Sequence, residues 1–178
     1  MKPCKLRPSL LFRQKHFLLL AVLFSLCWLC GCLAINSVLL IELPPAAISA
    51  QGFIRPCSGF VTSGYGTRTL NGVRQTHGGL DFKGNTLLTP IFAAKEGTVT
   101  IRAKDSTYGN WIEISHPGGW TTRYAHLSVS LAKKGNVVKR GDLIGRVGHS
   151  GRSEGAHLHF EVFFNGKTID PMTVLPKR

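Results

Sequence analysis

The sequence predicts an all-β domain that follows an N-terminal transmembrane or signal helix. From Phe53 onward, short apolar runs alternate with turns rich in Gly, Asn and Pro, and a helical period is almost absent. Short strands separated by such turns are typical of β-sandwiches and β-barrels. The chain has 178 residues, which suits one ordinary domain and is too short for two large ones.

The first 41 residues consist of a basic flank and an apolar segment. Residues 1–16 carry five Lys or Arg and no acidic residue, and Phe17–Ile41 is a run of 25 residues without a charge. A cleavable signal peptide has an apolar core of about 7–15 residues, whereas a spanning helix needs about 20. We therefore expect an uncleaved membrane anchor, with the basic flank in the cytoplasm and the following domain exported.

Two other modes of export are compatible with this segment. Leu29-Cys30-Gly31-Cys32 loosely resembles a lipobox, in which Cys32 would carry the lipid. Ile48-Ser49-Ala50 has the small residues of a signal-peptidase site, so cleavage there would release a secreted domain. In all three cases the domain lies in the periplasm or another extracytoplasmic space.

A linker and a single domain follow the apolar segment. Residues 42–52 (ELPPAAISAQG) have the Pro and small-residue content of a linker, and residues 53–178 form the predicted domain. Four of the five cysteines precede the domain, which leaves only Cys57 within it. The domain therefore has neither an internal disulfide nor a cysteine zinc site, and we expect Cys57 to be a small buried apolar residue.

The exported domain is strongly basic. The chain has a net charge of +13, and residues 1–50 contribute only five Lys or Arg and one Glu, so +9 remains for the domain. A surface of this charge attracts anionic polymers. Nucleic acid is a poor partner outside the cytoplasm, and we therefore expect cell-wall polymers or lipid surfaces instead.

Five segments of the domain have the composition of β-strands. Turn signals that contain Gly, Asn or Pro separate them. The segments are Ile91–Arg102, Trp111–Ser115, Trp120–His126, Asp142–Val147 and His157–Phe164.

The last of these strands places polar side chains on one face. Residues two apart on a strand point the same way, so His157, His159 and Glu161 share a face opposite Leu158 and its apolar neighbours. Histidine is the commonest metal ligand in proteins. An isolated pair of this kind is more often two ordinary solvated residues than a functional site, so the interpretation depends on the rest of the chain.

A second segment supplies a histidine and a carboxylate. His77 and Asp81 are four apart in HGGLD and share a face of an extended segment, and the two glycines between them let the backbone bend. With one histidine of His157-Leu158-His159 they form a set of three N and O ligands. Three protein ligands with an open fourth position are typical of catalytic zinc.

The remaining histidines are candidates for proton transfer. His126 and whichever residue of the His157/His159 pair is not a ligand could act as general acid or base, and the spacing alone does not decide between the two. Taken by itself, His126 is equally compatible with a structural role. His116 and His149 are predicted to lie in loops and receive no function.

Three motifs closely resemble the signature motifs of the lysostaphin-type, LytM-domain zinc metallopeptidases. They are HGGLDF (77–82), YAHLS (124–128) and SGRSEGAHLHFEV (150–162), and the likeness extends over about residues 58–172. The resemblance implies a compact antiparallel β-sheet domain with a groove. It also implies a zinc endopeptidase that hydrolyses peptide bonds in peptidoglycan.

The resemblance also implies a role for each site residue. His77, Asp81 and His159 correspond to the ligands of one Zn²⁺ ion, while His126 and His157 correspond to catalytic histidines that act on the water and the oxyanion. Some LytM-like domains lack metal ligands and only activate other wall hydrolases, which is the alternative function. Because all five positions hold the expected residue types, we expect an active enzyme.

Overall fold

The computed structural model describes residues 49–70, 72–84 and 86–177. Strands and turns account for nearly all of these residues, and every strand pair is antiparallel, which confirms the predicted fold class. The predicted anchor at Phe17–Ile41 and the alternative lipid site at Cys32 lie outside the described residues. Within those residues, no helix has the length and apolar character needed to span a membrane.

Twelve strands and one 3₁₀ turn make up the described part of the chain. They are β1 (Phe60–Ser63), β2 (Gly66–Leu70), β3 (Val73–His77), β4 (Leu80–Lys83), β5 (Pro90–Phe92), β6 (Gly97–Asp105), β7 (Gly109–His116), β8 (Trp120–Ser130), β9 (Val137–Val138), β10 (Leu143–Val147), β11 (Leu158–Phe164), β12 (Lys167–Ile169) and the 3₁₀ turn Pro171–Thr173.

Ten strands form one branched sheet, and β2 and β3 form a separate hairpin. The main path runs β1-β4-β11-β8-β7-β6-β9, with β12 on β11 and with β10 between β8 and β5. The branch arises because β11 pairs with β8 only as far as Ala125, and β10 then pairs with the same edge from Leu127 to Ser130. β8 has 11 residues and is therefore long enough to serve two partners on one edge.

The core lies against the apolar face of β11 and its neighbours. Leu158, Phe160 and Val162 are fully buried there, whereas His159 and Glu161 contact each other on the opposite face. The alternation predicted for this strand is confirmed. Burying such apolar surface stabilises the fold by about 25 cal/mol per Å², so the core holds the polar face of β11 in place.

The predicted strand Ile91–Arg102 is divided in two. β5 ends at Phe92 and β6 begins at Gly97. Between them, Ala93 bonds the backbone of residues 141 and 142, and the Ala94 amide donates to the Tyr124 hydroxyl at 2.8 Å. These non-local partners pull the chain out of the strand path, and local composition does not reveal them.

Two further expectations concern single residues. Cys57 is buried in the core, as expected. His116 is not a loop residue, because it ends β7 and is only 5% exposed, with its ring against Thr122 and the ring of Phe53. His149 does lie in an exposed loop.

Candidate metal centre

Three neighbouring segments bring His77, Asp81 and His159 together. His77 ends β3, Asp81 lies on β4, and His159 lies on β11 directly opposite Asp81 in the register. All three side chains are at least nine-tenths buried as residues, with exposures of 5%, 8% and 7%. Side chains from β3, β4 and β11 thus bring together the nitrogen and oxygen ligands that the sequence predicted.

The glycines between His77 and Asp81 connect β3 to β4, and the backbone bends at Gly79, as expected. Neither Gly78 nor Gly79 has a positive φ. Instead, a Cβ on Gly79 would lie 2.3 Å from the Phe160 carbonyl oxygen, and a Cβ on Gly78 would lie 2.9 Å from Glu161 Oε1. Gly79 is needed because the backbone passes directly against β11 there, whereas the atoms nearest to Gly78 belong to a side chain.

The three candidate ligand atoms form a small triangle. Asp81 Oδ1 lies 3.0 Å from His77 Nε2 and 2.9 Å from His159 Nδ1, and the two nitrogens are 3.0 Å apart. Zinc–ligand bonds of about 2.0–2.2 Å separate tetrahedral ligands by about 3.3 Å. The sides of the triangle approach that separation, so the set fits a small cation.

Hydrogen bonds on the far side of each ring fix which nitrogen faces the triangle. His77 Nδ1 lies 2.7 Å from the Gly64 carbonyl oxygen, and His159 Nε2 lies 3.1 Å from Glu161 Oε1. Because a carbonyl and a carboxylate only accept, these outer nitrogens carry the protons. In the neutral rings, His77 Nε2 and His159 Nδ1 then direct lone pairs at Asp81 Oδ1, an arrangement that needs a proton or a cation between them.

The electrostatics of the triangle also favour positive charge. Burial would raise the pKa of Asp81, but its contacts with His159 and His77 outweigh burial and hold the pKa far below its usual 3.8. Burial would lower the pKa of His159, but contacts with Asp81 and Glu161 raise it above 6.5. Arg68 Nη1 binds the other Asp81 oxygen at 3.2 Å, which leaves Oδ1 as the inward-facing atom.

His126 and His157 lie beside the triangle with their rings in contact. The ring centroids are 4.7 Å apart, and His157 Nε2 is 3.6 Å from Asp81 Oδ1. Nδ1 of each ring donates to a backbone carbonyl at 2.8 Å, that of Ser150 for His126 and that of Gly155 for His157. In both neutral rings Nε2 is therefore the nitrogen that can accept a proton.

The backbone of His126 is strained. Its φ of +61° lies in the left-handed region, which non-glycine residues rarely adopt. The register between β7 and β8 shifts at this point, because Asn110 pairs with Leu127 and Ile112 pairs with Tyr124. Such a bulge redirects a side chain, and burial lowers the pKa of His126 to about 4, so the ring is neutral at neutral pH.

The five residues lie at the floor of a groove, as the fold prediction required. On one side of Asp81 the groove has a volume of about 330 Å³ and is lined by His126 and Arg152 among others. On the other side it continues into a depression of about 740 Å³ that is lined by Lys83. Arg68, Asp81 and Glu154 border both parts, and over the whole groove the lining has three Lys or Arg and three Asp or Glu side chains.

Sequence reasoning missed the side chains that support His159 from behind. Glu161 contacts Arg123 and Tyr108, and Arg123 also contacts Glu113. The position of Glu161 on the same strand face as His159 was a sequence signal for its role. The others lie on β7, on β8 and in the turn before β7, and local sequence does not show that these strands adjoin β11.

Comparison with known proteins places this centre in a family. The family model of peptidase family M23 matches residues 75–171, which is more than half of the chain and includes all five residues. The chain belongs to peptidase family M23. The resemblance to lysostaphin-type peptidases stated above is thereby confirmed.

Individual M23 proteins are similar over most of the domain. Peptidoglycan DD-endopeptidase ShyB of Vibrio cholerae is 36% identical over 115 residues, which cover 63% of this chain and 27% of that protein. The crystal structure of a zinc containing peptidase from Vibrio cholerae has a TM-score of 0.62 at 32% identity, covering 74% of this chain and 47% of that one. The catalytic domain of lysostaphin from Staphylococcus simulans has a TM-score of 0.58 at 34% identity, covering 65% and 90%. The chain spans about a quarter of the length of the curated relatives it matches.

Proposed function

We propose that this M23 peptidase is a zinc-dependent endopeptidase that hydrolyses peptide cross-links of bacterial peptidoglycan. The observation that carries the proposal is the triangle of lone-pair atoms from His77, Asp81 and His159, beside the paired rings of His126 and His157 in an open groove. Membership in a peptidase family supports hydrolysis of a peptide bond. The similarity to the peptidoglycan DD-endopeptidase ShyB supports the substrate, and the similarity to the zinc containing peptidase supports the metal.

The side chains divide between holding a metal and moving protons. His77 Nε2, Asp81 Oδ1 and His159 Nδ1 would hold one Zn²⁺ and leave a position for water or substrate. Zinc bound there would polarise the scissile carbonyl and lower the pKa of a water molecule to about 7. Nε2 of His126 or His157 can accept the proton that water loses on attack, and the resulting imidazolium can donate that proton to the leaving amine.

The shape of the groove suits a peptide, and the net charge of the domain suits an anionic wall. Because the groove extends to both sides of Asp81, a peptide could lie across the centre with residues on each side of its scissile bond. Arg152 on one side and Lys83 on the other would face the carboxylates that peptidoglycan stem peptides carry. The net charge of +9 over residues 51–178 would attract the anionic wall as a whole.

We further propose that the domain acts outside the cytoplasm and is anchored by the apolar segment Phe17–Ile41. The support is the length of that uncharged run and the five basic residues that precede it. An exported, tethered enzyme would be held next to the wall. A lipid on Cys32 or cleavage near Ser49 would export the same domain by a different route.

The activity is tested by digesting purified wall material with the full chain in detergent. We expect new amino termini, identified by mass spectrometry, without new reducing sugar ends. A chelator should abolish the release and zinc should restore it. Intact wall material in the presence of zinc-loaded protein would refute the enzyme, and stimulation of a separate hydrolase that survives His126→Ala would favour the activator alternative.

Variants of the five residues separate metal binding from proton transfer. Alanine at His77, Asp81 or His159 should remove most of the zinc, measured by metal analysis after gel filtration. His126→Ala and His157→Ala should retain zinc and lose about 10²–10⁴-fold in cleavage rate. Loss of zinc from His157→Ala together with retention in His159→Ala would reverse the two assignments.

A further inference from the structure

Three charged side chains form a row behind His159. Glu161 on β11, Arg123 on β8 and Glu113 on β7 are directly opposite one another in the strand registers. Glu161 is only 4% exposed, although a buried carboxylate is costly unless it is paired. Neither proton transfer nor direct metal binding, as proposed above, uses any of these side chains.

The row contacts the imidazole ring of His159 through one hydrogen bond, which Glu161 accepts. Glu161 Oε1 accepts from His159 Nε2 at 3.1 Å and from the Tyr108 hydroxyl at 3.2 Å. Glu161 Oε2 accepts from Arg123 Nη1 at 2.9 Å, and Arg123 Nη2 binds Glu113 Oε2 at 2.9 Å. Both oxygens of Glu161 are thus committed, and only Oε1 contacts His159.

Aromatic rings fix the position of the guanidinium. Its central carbon lies 4.9 Å from the ring centroid of Tyr108, 5.0 Å from that of Trp111 and 4.8 Å from that of Phe163. Cation–π contacts of this kind favour a guanidinium that stays over the rings. Arg123 therefore holds Glu161 in one orientation.

We propose that Glu161, held by Arg123, is a positioning residue that fixes His159 as the Nε2–H tautomer and so presents Nδ1 to the metal. A carboxylate behind a ligating histidine raises the ligand basicity of the ring and restrains its rotation. The proposal rests on the zinc site proposed above. Glu113 shares the same guanidinium but does not touch His159, which makes it the matched control.

Zinc affinity of the full chain tests the proposal without reference to cleavage. Competition with a chromophoric chelator at fixed pH should show about 10–100-fold weaker binding for Glu161→Gln, because an amide cannot accept from both His159 and Arg123. Glu113→Gln should remain within about threefold of the wild type, since the contact with His159 is intact. Wild-type affinity in Glu161→Gln, or an equal loss in Glu113→Gln, would overturn the positioning role.

A second measurement can be made on the wild-type protein, so it does not require a substituted protein to fold. Nitrogen-15 NMR of the zinc-loaded wild type should place the His159 proton on Nε2 and the metal on Nδ1. Among variants, Tyr108→Phe, which removes only one hydrogen bond to Glu161, should weaken zinc binding by less than Glu161→Gln does. A proton on Nδ1 of the zinc-loaded wild type, with the metal on Nε2, would refute the proposal. Zinc binding without wall cleavage would refute the proposed enzyme and leave this inference standing.

Discussion

The contact between Gly79 and β11 makes Gly79→Ala a sharp test of how the centre is built. A methyl group there would lie 2.3 Å from the Phe160 carbonyl oxygen and 2.9 Å from Glu161 Cγ. The first of these atoms belongs to the backbone of the neighbouring strand and cannot rotate away. An ordinary contact begins at 3.4 Å, so β4 and β11 would have to separate by about 1 Å at this point.

The loss of stability in Gly79→Ala follows from that separation of the two strands. Hydrogen bonds between the two strands would lengthen from about 2.9 Å to nearly 4 Å, which no longer counts as a bond, and each is worth about 1 kcal/mol. Overpacking of a filled interior costs about 1–3 kcal/mol. We therefore expect the free energy of unfolding to fall by about 2–3 kcal/mol. Zinc affinity should fall as well, since Asp81 and His159 are paired across the same two strands.

Urea unfolding of the full chain in detergent, followed by near-UV circular dichroism, measures the effect. With a slope of about 2 kcal/mol per M, the midpoint should fall by about 1 M. Gly64→Ala is the control, because Gly64 has no positive φ and no atom within 4 Å of a Cβ, so the change should be neutral or slightly stabilising. Equal midpoints for wild type and Gly79→Ala would refute the close-approach argument.

Two other predictions concern pH and location. Burial lowers the pKa of His116 below 6.5, so the unfolded chain takes up a proton that the folded chain does not, and stability falls as pH drops through about 6.5. The stability advantage of the wild type over His116→Gln should therefore be smaller at pH 5.5 than at pH 7.5 in urea unfolding; an unchanged difference would contradict this. The full chain should also remain with membranes in high salt, because 25 uncharged and mostly apolar residues bind far more strongly than a screened basic surface. A soluble product beginning near Gln51 would contradict the anchor.

The sequence predicted the parts of the molecule that depend on local pattern. Alternation along β11 predicted which side of the strand enters the core and which side holds His159 and Glu161, because side chains on a strand point to opposite faces in turn. The spacing of His77 and Asp81 predicted that they could converge. Neither inference required knowledge of the strand order.

Features that depend on non-local partners were not predictable in this way. The sharing of one edge of β8 by β10 and β11 depends on the length of β8 relative to its neighbours. The hairpin of β2 and β3, which ends at His77, is not among the predicted strands, although the sequence Asn71-Gly72 is a strong hairpin signal. The pairing of Glu161 with Arg123 depends on strand order, which local composition does not encode.

The register of β4 against β11 links the stability of the fold to the geometry of the centre. Phe82 lies opposite Leu158 and Leu80 lies opposite Phe160, and all four are fully buried, so a slip by one residue would expose them to the polar face. The same slip would carry Asp81 away from His159, because the two lie opposite each other in that register. Since both sets of side chains sit on the same two strands, the apolar pairs that favour the native register also hold Asp81 Oδ1 within 2.9 Å of His159 Nδ1. Without a proton or cation, the three inward lone pairs on the polar face repel one another. The geometry of that face thus depends on apolar packing on the reverse side of the sheet.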